Sequence, residues 1–561
     1  MILEILNDIF KNVLKELNLN TEANVIISNR PELCDYQFDG VFKLASINHE
    51  NPIVIGEKIV NKIKELNDFD KYFKTVEFIK PGFINITISD KLINDLVMKI
   101  NTEENLGMKK PEKIETFFLD YGGPNIAKPL HVGHLRPAII GESIKRIIQF
   151  KGHKTISDVH FGDFGLQMGQ VIYGMQQENI SYENVTLDDL NEIYPKMSKL
   201  CKENEEIKQI CAEITKKMQD GDPLYEKYYN KIFELSSEDI KKIYKYLGVD
   251  FDLWYSEMSS RKYIPLVEKE LNEKHLSYIS NGALIVDVKE ETDSKELPPL
   301  IFKKGNGAYL YGSTDMATIY QREKDYKPDH ILYVADARQS LHFTQVFRAS
   351  LKAGITDANM EHLAFGTING TDGKPYKTRS GETPKLTELF KEVKEIFISK
   401  KPENESMIEE DKDKIVNAII KFADLQNSRE KDYIFDIAKF SNVVGKTGPY
   451  VLYTYVRTNK MINEDGYLNN IIYNEFDRNL RKKIIEFDLE VDKAFKDRMP
   501  HHIADYIYDL CLTMNAFYQN NHINNLEDED KKNSWIYVLN TANKILKQML
   551  YLLMIDIPTV M

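Results

Sequence analysis

The pattern of apolar and polar positions is most informative in residues 117–148. An apolar run at residues 117–119 stops at Asp120 and gives way to a turn rich in glycine and proline. After the turn, apolar residues recur at helical spacing, at Leu135, Ala138, Ile139, Ile144, Ile147 and Ile148. A short apolar run bounded by turn residues is typical of a strand, and apolar residues at helical spacing are typical of a helix with one buried face. The pattern therefore predicts a strand, a tight loop and a helix.

Similar patterns later in the chain predict further strands of the same sheet. Residues 330–335 (HILYVA) are mostly apolar, as expected of a strand that is buried on both faces. Residues 307–317 predict a short strand that ends in polar residues before a helix, and residues 362–381 predict a strand that leads into a long polar loop. Strands that alternate with helices indicate an α/β fold with a doubly wound, Rossmann-like parallel sheet, in which ligands bind at the carboxyl ends of the strands.

The same patterns predict three domains in a chain that is too long for a single core. Residues 1–105 mix helix and strand patterns and form a small N-terminal α/β domain. Residues 110–395 form the doubly wound domain, with a charged helical insertion near residues 180–280. Residues 405–561 form a helical bundle, because apolar stripes at helical spacing dominate them.

Composition narrows the class of protein. The net charge of −13 argues against a general polyanion binder, so any contact with nucleic acid must use local basic patches. The four cysteines form no CxxC pair, so no structural zinc and no disulfide framework is predicted, as expected in a reducing cytoplasm. The first helix lacks the basic start of a signal peptide, and no apolar run is long enough to span a bilayer. We therefore expect a soluble cytoplasmic protein without a membrane partner.

The loop after the first predicted strand contains His131, Gly133 and His134 at the start of a helix. The N-terminus of a helix offers free N–H groups and a partial positive charge, both of which suit a phosphate. The two imidazoles can donate hydrogen bonds to phosphate oxygens, and Gly133 allows a ligand to approach the backbone closely. An ordinary helix start with satisfied histidines is the alternative for this motif taken alone.

A second set of residues suits the other end of a nucleoside triphosphate. The loop at residues 370–381 combines glycines with Lys377, Thr378 and Arg379. Between this loop and the histidines, polar residues at predicted strand ends suit a small amino-acid-like ligand; they are Asp120, Asn125, Asp163, Tyr311, Asp315 and Gln339. Carboxylates in such a pocket favour a cationic ligand, with paired hydrogen bonds if that ligand carries a guanidinium group. Covalent catalysis is not indicated, because no nucleophile–base arrangement is apparent.

Residues 447–460 alternate tyrosines with basic residues in the predicted bundle. Tyr450, Tyr453 and Arg457 belong to this segment. Aromatic and basic side chains together suit unstacked bases of a nucleic acid. Half-buried tyrosines of the helical core are the alternative.

These motifs, in their order along the chain, resemble those of the class I arginyl-tRNA synthetases. The similar segments are PNIAKPLHVGH at 124–134, HFGDFGLQMG at 160–169, YGSTDMA at 311–317, YVADARQSLHF at 333–343, GKPYKTRSG at 373–381 and GPYVLYTYVR at 448–457. PGFIN at 81–85 and the helical C-terminal part also resemble this family, so the resemblance covers essentially the whole chain. It implies an enzyme that activates arginine with ATP and then transfers arginine to the 3′-terminal adenosine of tRNA(Arg).

The resemblance also implies roles for individual residues. His131 and His134 resemble the histidines that stabilise the transferring phosphate. Lys377 resembles a lysine of the family's signature loop, which corresponds here to residues 377–381. Pro124, Gly133, Thr378 and Arg379 are then expected to contact ATP. The arginine pocket is expected to contain Asp120, Asn125, Tyr311, Asp315 and Gln339, with Asp315 as the charge partner of the guanidinium. Tyr450, Tyr453 and Arg457 are expected to contact tRNA. Mg²⁺ is expected with ATP, and a monomer is usual in this family.

One departure from the family pattern concerns the signature loop. The sequence there, KTRSG, lacks the usual second lysine, and Lys128 stands shortly before the first histidine. We expect Lys128 to supply the missing positive charge to the phosphates. A literal KMSK occurs at residues 196–199, but it lies in a charged helical tract without a flanking glycine. A mobile phosphate loop needs backbone freedom, so we expect no catalytic role for Lys196 or Lys199.

Two other interpretations remain open at this level. A different class I synthetase, such as the cysteinyl type, would be expected to carry a zinc cluster of cysteines and histidines. A non-catalytic RNA-binding relative would be expected to have lost the histidines or the loop lysines.

Overall fold

The computed structural model describes residues 1–19, 24–377, 384–400, 402–462, 466–523 and 526–561. Its N-terminal part is an antiparallel sheet, in the order β1–β2–β4–β3, packed against helices. The elements are α1 (Ile2–Glu16), β1 (Val25–Ile27), β2 (Tyr36–Phe38), α2 (Val41–Asn48), α3 (Pro52–Lys64), α4 (Phe69–Tyr72), β3 (Phe73–Ile79), β4 (Phe83–Ile88) and α5 (Asp90–Thr102). The buried residues of α1 recur at helical spacing, from Ile2 and Leu6 to Phe10 and Leu14, as the sequence predicts.

The central part is built on a parallel sheet in the order β11–β10–β5–β6. Its strands and the first helices after them are β5 (Thr116–Tyr121), α6 (Leu135–Phe150), β6 (Lys154–Asp158), α7 (Leu166–Gln177), β10 (His330–Asp336), α14 (Ser340–Lys352) and β11 (Asn359–Phe365). Successive residues of β5 enter two different cores. Phe117 and Leu119 pack with α6, and Phe118 packs in the core that contains residues of α13 and α14. Helices therefore cover both faces, which confirms the predicted doubly wound fold.

Between β6 and β10 the chain forms a long, mainly helical insertion with a small antiparallel sheet in the order β7–β8–β9. Its elements are α8 (Leu187–Glu203), α9 (Glu205–Asp220), α10 (Pro223–Tyr246), α11 (Glu257–Ser260), α12 (Ile264–Glu273), β7 (Ser277–Ser280), β8 (Ala283–Val286), β9 (Leu300–Lys303) and α13 (Tyr311–Tyr326). Asn281 and Gly282 join β7 to β8 with positive φ values of 49° and 79°, as a tight hairpin turn requires. The residues of the literal KMSK lie inside α8.

The prediction of a strand within residues 307–317 is wrong. Helix α13 begins at Tyr311, so Ser313 and Asp315 lie in its first turns. The hydroxyl of Ser313 donates to the carbonyl of Phe302 at 2.6 Å and accepts from the Leu310 N–H at 3.0 Å, and these bonds fix the start of the helix against β9. The preceding residues only bridge back to β9, where Lys303 pairs with Tyr309.

The glycine-rich segment at residues 160–169 is a loop only in its first part, because α7 begins at Leu166 and contains Gly169. A Cβ atom at this position would stand 2.0 Å from the carbonyl oxygen of Cys211 in α9. Gly169 therefore serves the close approach of two helices and not a turn.

The C-terminal part is helical. Its elements are β12 (Ile368–Asn369), α15 (Leu386–Ser399), α16 (Pro402–Glu405), α17 (Glu409–Leu425), β13 (Tyr433–Ile434), α18 (Ile437–Phe440), α19 (Gly448–Met461), α20 (Glu475–Ile485), α21 (Phe487–Asp497), α22 (His501–Asn521) and α23 (Glu529–Leu552). Strand β12 follows β11 directly in the chain. Because β13 pairs with β12, it connects the C-terminal helices to the parallel-sheet region. Of the helices in the residues that the structure describes, none combines the length and apolarity that crossing a bilayer requires.

Candidate active site

The candidate site lies at the carboxyl ends of β5 and β10. The chain runs from β5 to β6 on one side and places β10 on the other, so a crevice opens between the connections that leave β5 and β10. Asp120 near the end of β5 is in register with Tyr333 of β10. Gln339 is exposed in the 3₁₀ turn that follows β10. The histidine motif follows β5 on the same edge.

The two histidines are held by backbone donors. The His131 N–H donates to Nδ1 of His134, and the Gly133 N–H donates to Nδ1 of His131, both at 3.1 Å. In a neutral imidazole whose Nδ1 accepts, the proton lies on Nε2. Burial, together with the charge of Lys128, lowers the pKa of both rings, and the pKa of His134 falls to about 3. Both histidines are therefore neutral hydrogen-bond donors near neutral pH, not the cations that charge neutralisation would need.

A positive charge beside the histidines comes from Lys128. Its Nζ atom lies 4.8 Å from the ring centroid of Tyr194 in α8, over the ring face. Attraction between an ammonium and an aromatic ring keeps the lysine in this place. The field of Lys128 reaches both His131 and His134, since it contributes to lowering the pKa of each.

The segment at residues 384–386, which follows the basic glycine loop in the chain, contacts the histidine motif through its backbone. The Val132 N–H donates to the carbonyl of Pro384 at 3.2 Å, and the Leu386 N–H donates to the carbonyl of Leu130 at 3.0 Å. The residue pair between them, His131 and Lys385, forms an antiparallel bridge. Lys377 is exposed at the other side of the loop. Thr378 and Arg379, and also Glu382, lie outside the described residues.

The guanidinium end of the predicted pocket is the start of α13. Tyr311 is the first residue of this helix and is exposed, and Asp315 follows one turn later. Nε2 of His342 lies 2.5 Å from Oδ2 of Asp315. Burial opposes a charge on His342, but the hydrogen bond and the charge of Asp315 outweigh it and raise the pKa of this histidine. Asp315 therefore has a histidine as its hydrogen-bond partner within the protein.

Asp120 also has a partner that the sequence did not reveal. Nη2 of Arg322, in α13, donates to Oδ2 of Asp120 at 2.6 Å and to Oδ2 of Asp158 at 3.1 Å. Arg322 is 1% exposed. It follows Asp315 by two helical turns, which places it on the same side of α13. That spacing was visible in the sequence, but nothing there distinguished this arginine from a solvated one.

Glu257 is a second residue that the sequence analysis missed. It is buried at the start of α11, and its Oε2 atom accepts a hydrogen bond from the Phe164 N–H at 3.1 Å. Burial and the charges of Asp163 and Asp315 raise its pKa to about 7. Glu257 in turn contributes, after burial, to a raised pKa of Tyr311. The charges of Glu257 and Asp315 therefore influence each other and Tyr311 at the start of α13.

Asp163 does not face the pocket as the sequence suggested. Its carboxylate accepts from the hydroxyl of Tyr229 at 2.6 Å and from the Met258 N–H at 3.0 Å. The group is fully buried and holds the insertion helices in place. Gln167, which lies with Asp163 in the glycine-rich segment at residues 160–169, donates weakly to the carbonyl of Gly162 at 3.4 Å.

Asn125 and Pro124 are fixed by the glycine loop after β6. The Gly162 N–H donates to the carbonyl of Pro124 at 3.1 Å, and the Ile126 N–H donates to the carbonyl of Gly162 at 2.9 Å. A Cβ atom on Gly162 would stand 2.4 Å from Oδ1 of Asn125. Glycine is needed here because it leaves room for the Asn125 side chain at the edge of the site.

The candidate tRNA-contacting residues lie on α19. Tyr450 accepts from Nδ2 of Asn515 at 2.9 Å, and Arg457 donates to Oδ1 of the same asparagine. Arg457 also lies over the ring of Tyr453, with Cζ 5.6 Å from its centroid. Tyr453 is 41% exposed, whereas Tyr450 is half-buried. Tyr453 thus reaches the surface, Arg457 is half-buried beside it, and the hydroxyl of Tyr450 is engaged between helices.

In the described ranges, no three side chains of histidine, cysteine, aspartate or glutamate are grouped so that they could hold a metal ion. All four cysteines are buried and reduced, although Sγ of Cys201 and Sγ of Cys211 lie only 3.6 Å apart.

A doubly wound parallel sheet with a histidine motif after its first strand, a basic glycine loop and a helical C-terminal part defines a class I aminoacyl-tRNA synthetase. Three family models match the chain: "tRNA synthetases class I (R), catalytic domain" at residues 96–437, "DALR anticodon binding domain" at 451–561, and "Arginyl tRNA synthetase N terminal domain" at 4–88. The chain belongs to the arginyl-tRNA synthetase family.

Individual relatives agree with this family. The arginine–tRNA ligase of Alkaliphilus oremlandii is 40% identical over 95% of each chain, and that of Agathobacter rectalis is 39% identical over 94% of each. The crystal structure of arginyl-tRNA synthetase from Plasmodium falciparum superposes with a TM-score of 0.82 at 26% identity, covering 100% of this chain and 99% of the other. The Thermus thermophilus enzyme has the same fold, with a TM-score of 0.81 at 19% identity and full coverage of both chains.

Proposed function

We propose that the crevice between β5 and β10 is the single site in which arginine is activated and then transferred to tRNA. As a member of its family the chain is an enzyme, an arginine–tRNA ligase that uses ATP. The observation that carries the site proposal is the convergence, at one sheet edge, of an acidic pocket at the start of α13 and the neutral donors of the histidine motif. An acidic pocket suits a cationic amino acid, and neutral donors suit a phosphate.

In the first step, a carboxylate oxygen of arginine attacks the α-phosphorus of ATP. A bond forms between this oxygen and the α-phosphorus. The bond between the α-phosphorus and the oxygen that bridges to the β-phosphate breaks, and pyrophosphate leaves with the electron pair. Positioning and electrostatic stabilisation supply most of the catalysis in such phosphoryl-type reactions. No protein nucleophile takes part.

The arginine end of the site uses carboxylates. We assign Asp315 and Tyr311 to the substrate guanidinium, with Glu257 beside them, and Asp120 with Asn125 to the amino and carboxyl groups. Gln339 borders the same pocket. The bond between His342 and Asp315 supports the assignment, because His342 is a side chain that can carry a positive charge and it lies within hydrogen-bond distance of Asp315. The substrate guanidinium would take over that interaction on binding.

The phosphate end uses neutral and charged donors in different ways. His131 and His134 would donate from Nε2 to the oxygens of the transferring phosphate, because Nδ1 of each ring already accepts a backbone hydrogen bond. Lys128 and Lys377 would supply positive charge, and Pro124 and Gly133 would line the nucleotide. We assign Thr378 and Arg379 to ATP on sequence grounds, since they lie outside the described residues.

In the second step, a hydroxyl group of the 3′-terminal adenosine attacks the carbonyl carbon of arginyl-adenylate. An ester bond forms, the bond between that carbon and the phosphate oxygen breaks, AMP leaves with the electron pair, and the proton of the hydroxyl group passes to solvent. We propose that residues 1–105 and 405–561 hold tRNA(Arg) on either side of a catalytic domain at 110–395, with Tyr453 and Arg457 on the contacting surface and Tyr450 supporting them. We also propose that the enzyme acts as a monomer in the cytoplasm.

Mg²⁺ fits this site as part of the nucleotide substrate. Magnesium in phosphate sites takes most of its ligands from phosphate oxygens and water and needs few protein carboxylates. That requirement agrees with the lack of a three-residue ligand cluster in the described ranges.

The test is ATP–pyrophosphate exchange with each amino acid, with and without tRNA(Arg). We expect exchange with arginine alone among the amino acids, and only when tRNA is present. Asp315→Asn should raise KM for arginine at least about tenfold, because a charged hydrogen bond to the guanidinium is lost. Exchange with another amino acid would contradict the proposal.

A further inference from the structure

Arg322 occupies a buried position between two carboxylates beneath the candidate arginine pocket. Its guanidinium contacts Asp120 at 2.6 Å and Asp158 at 3.1 Å. The same group lies over the ring of Phe118, with Cζ 4.5 Å from the centroid, and over the ring of Tyr333 at 5.3 Å. Contacts with two ring faces and two carboxylates leave this side chain little freedom to move.

Asp158 is the fixed end of this arrangement. Its Oδ1 atom accepts from the His160 N–H at 3.2 Å and from the Tyr255 N–H at 3.0 Å, and its Oδ2 atom faces Nδ1 of His160 at 3.2 Å. The side chain is fully buried. A carboxylate with this many donors can anchor Arg322, and Arg322 can in turn hold Asp120.

Helix α13 connects both ends of the arginine pocket. Tyr311 and Asp315, at its start, belong to the guanidinium end, and Arg322 contacts the amino end through Asp120. Thr318 of the same helix lies 3.4 Å from Nε2 of His160 and adds a second link to the loop after β6. The distance between the two ends of the pocket is therefore set largely by one rigid element.

We propose that Arg322 is a positioning residue for the substrate arginine: by binding Oδ2 of Asp120, it keeps this carboxylate ionised and turns Oδ1 toward the α-ammonium group. The inference rests on the proposed role of Asp120 in binding that ammonium group. In the described part of the chain, Arg322 donates to Oδ2 of Asp120. This leaves Oδ1 as the oxygen that would face the substrate.

The electrostatic reason is the proximity of a second carboxylate. Burial and the charge of Asp158 raise the pKa of Asp120, and the charges of Arg322 and His160 act in the opposite direction. Tyr333 faces the same group from β10. Without Arg322, the half-buried Asp120 would face the fully buried carboxylate of Asp158, and such a pair favours retention of a proton. A protonated Asp120 would lose its charge-assisted bond to the substrate.

The experiment measures aminoacylation kinetics of the full-length enzyme with tRNA(Arg), using Arg322→Met, Arg322→Lys and Asp120→Asn. We expect Arg322→Met to raise KM for arginine at least about tenfold, or about 1.4 kcal/mol, with KM for ATP within about twofold of the wild type. Arg322→Lys keeps a positive charge on a shorter side chain, so its KM for arginine should rise by a smaller factor. The lysine variant also provides the measurement if the methionine variant does not fold.

The pH dependence separates positioning from simple structural damage. The ratio of KM for arginine between Arg322→Met and the wild type should grow as pH falls from about 8.5 to about 6, because Asp120 gains a proton in the variant. The same ratio for Arg322→Lys should stay nearly constant. A ratio for the methionine variant that does not change with pH would overturn the inference.

Arg481 provides the matched control. It is fully buried and paired with Asp477 at 2.6 Å, but it lies in α20, outside the parallel-sheet region. Arg481→Met and Arg481→Lys should leave KM for arginine within about twofold of the wild type. If Arg481→Met raised this KM as much as Arg322→Met, the effect would be general destabilisation and the inference would fail.

Asp120→Asn distinguishes the inference from the proposal on which it rests. If this variant leaves KM for arginine unchanged, the proposed role of Asp120 is wrong. If Asp120→Asn raises KM while both Arg322 variants leave it unchanged, the role of Asp120 stands and only the inference about Arg322 fails.

Discussion

The ammonium group of Lys128 lies 4.8 Å from the ring centroid of Tyr194, so the histidine loop is joined to helix α8. The next residues of this helix include the literal KMSK, whose Lys196 forms a surface ion pair with Glu178 at 2.5 Å. Of this part of α8, Tyr194 contacts Lys128 in the histidine loop, whereas Lys196 of the literal KMSK pairs with Glu178 at the surface. Lys128 thus lies close enough to His131 and His134 for its charge to contribute to lowering the pKa of both rings.

The first prediction concerns Lys128. Lys128→Ala should lower ATP–pyrophosphate exchange at least about tenfold, because losing an ion pair to a transferring phosphate costs at least about 1.4 kcal/mol. The control is a double variant, Lys196→Ala with Lys199→Ala, which should leave exchange within about twofold. A change of less than about twofold for Lys128→Ala, or a large loss for the control, would show that the wrong lysine was chosen.

The second prediction concerns the protonation of the histidine motif. Because burial lowers the pKa of His131 and His134, the neutral form prevails at every pH above the lowered values. The rate of exchange at saturating arginine and ATP should therefore show no decline centred near the ordinary histidine pKa of about 6.5. The measurement is a pH profile of kcat between about pH 5.5 and 8.

His134→Ala provides the comparison for that profile. It should lower kcat about a hundredfold, in the range seen when one preorganised donor to a reaction centre is removed. An acidic limb near pH 6.5 that appears in the wild type and disappears in His131→Gln would contradict the neutral state.

The third prediction concerns competition for Asp315. The raised pKa of His342 means that this ring stays protonated to higher pH than usual, and its charge attraction to Asp315 is lost once the pH rises above the raised pKa. Glu257, with a pKa of about 7, gains its charge over the same interval. Both changes favour binding of the substrate guanidinium, so KM for arginine should fall as pH increases from about 6 to 8.

His342→Gln separates the two contributions. The glutamine cannot titrate, so the variant should show a weaker dependence of KM for arginine on pH and a lower KM near pH 6. Tyr311 also faces this pocket, but it remains neutral throughout the interval because its pKa is raised. An unchanged pH profile in His342→Gln would exclude His342 as a competitor.

The fourth prediction concerns packing of the insertion against α7. Gly169→Ala would place a Cβ atom 2.0 Å from the carbonyl oxygen of Cys211 and 2.3 Å from Oγ1 of Thr215. Overpacking of this kind costs about 1–3 kcal/mol, so the midpoint of thermal unfolding should fall by several degrees. Lys216→Ala, an exposed change on the same helix α9, should shift the midpoint little. An unchanged midpoint for Gly169→Ala would mean that the two helices separate at little cost.

Local patterns predicted much of this fold because they report nearest-neighbour physics. The strand, loop and helix at residues 117–148 occur as predicted, since apolar runs and helical spacing directly reflect which faces are buried. The pattern failed at residues 307–317, where a short apolar alternation preceded a helix. The hydroxyl of Ser313 fixes the start of that helix by bonding to the carbonyl of Phe302 on β9, a contact between separate elements.

The sequence by itself determined the class of the fold, the family resemblance and the identity of the residues that follow β5, because each depends on residue types at short spacing. Only the tertiary structure decided the charge state and the partners of those residues. The neutral histidines, the Asp315–His342 pair and the Asp120–Arg322–Asp158 arrangement all depend on burial and on groups far apart in the chain. Desolvation and Coulomb interactions act through space, so residues 202 positions apart can set each other's charge without any trace in the local pattern.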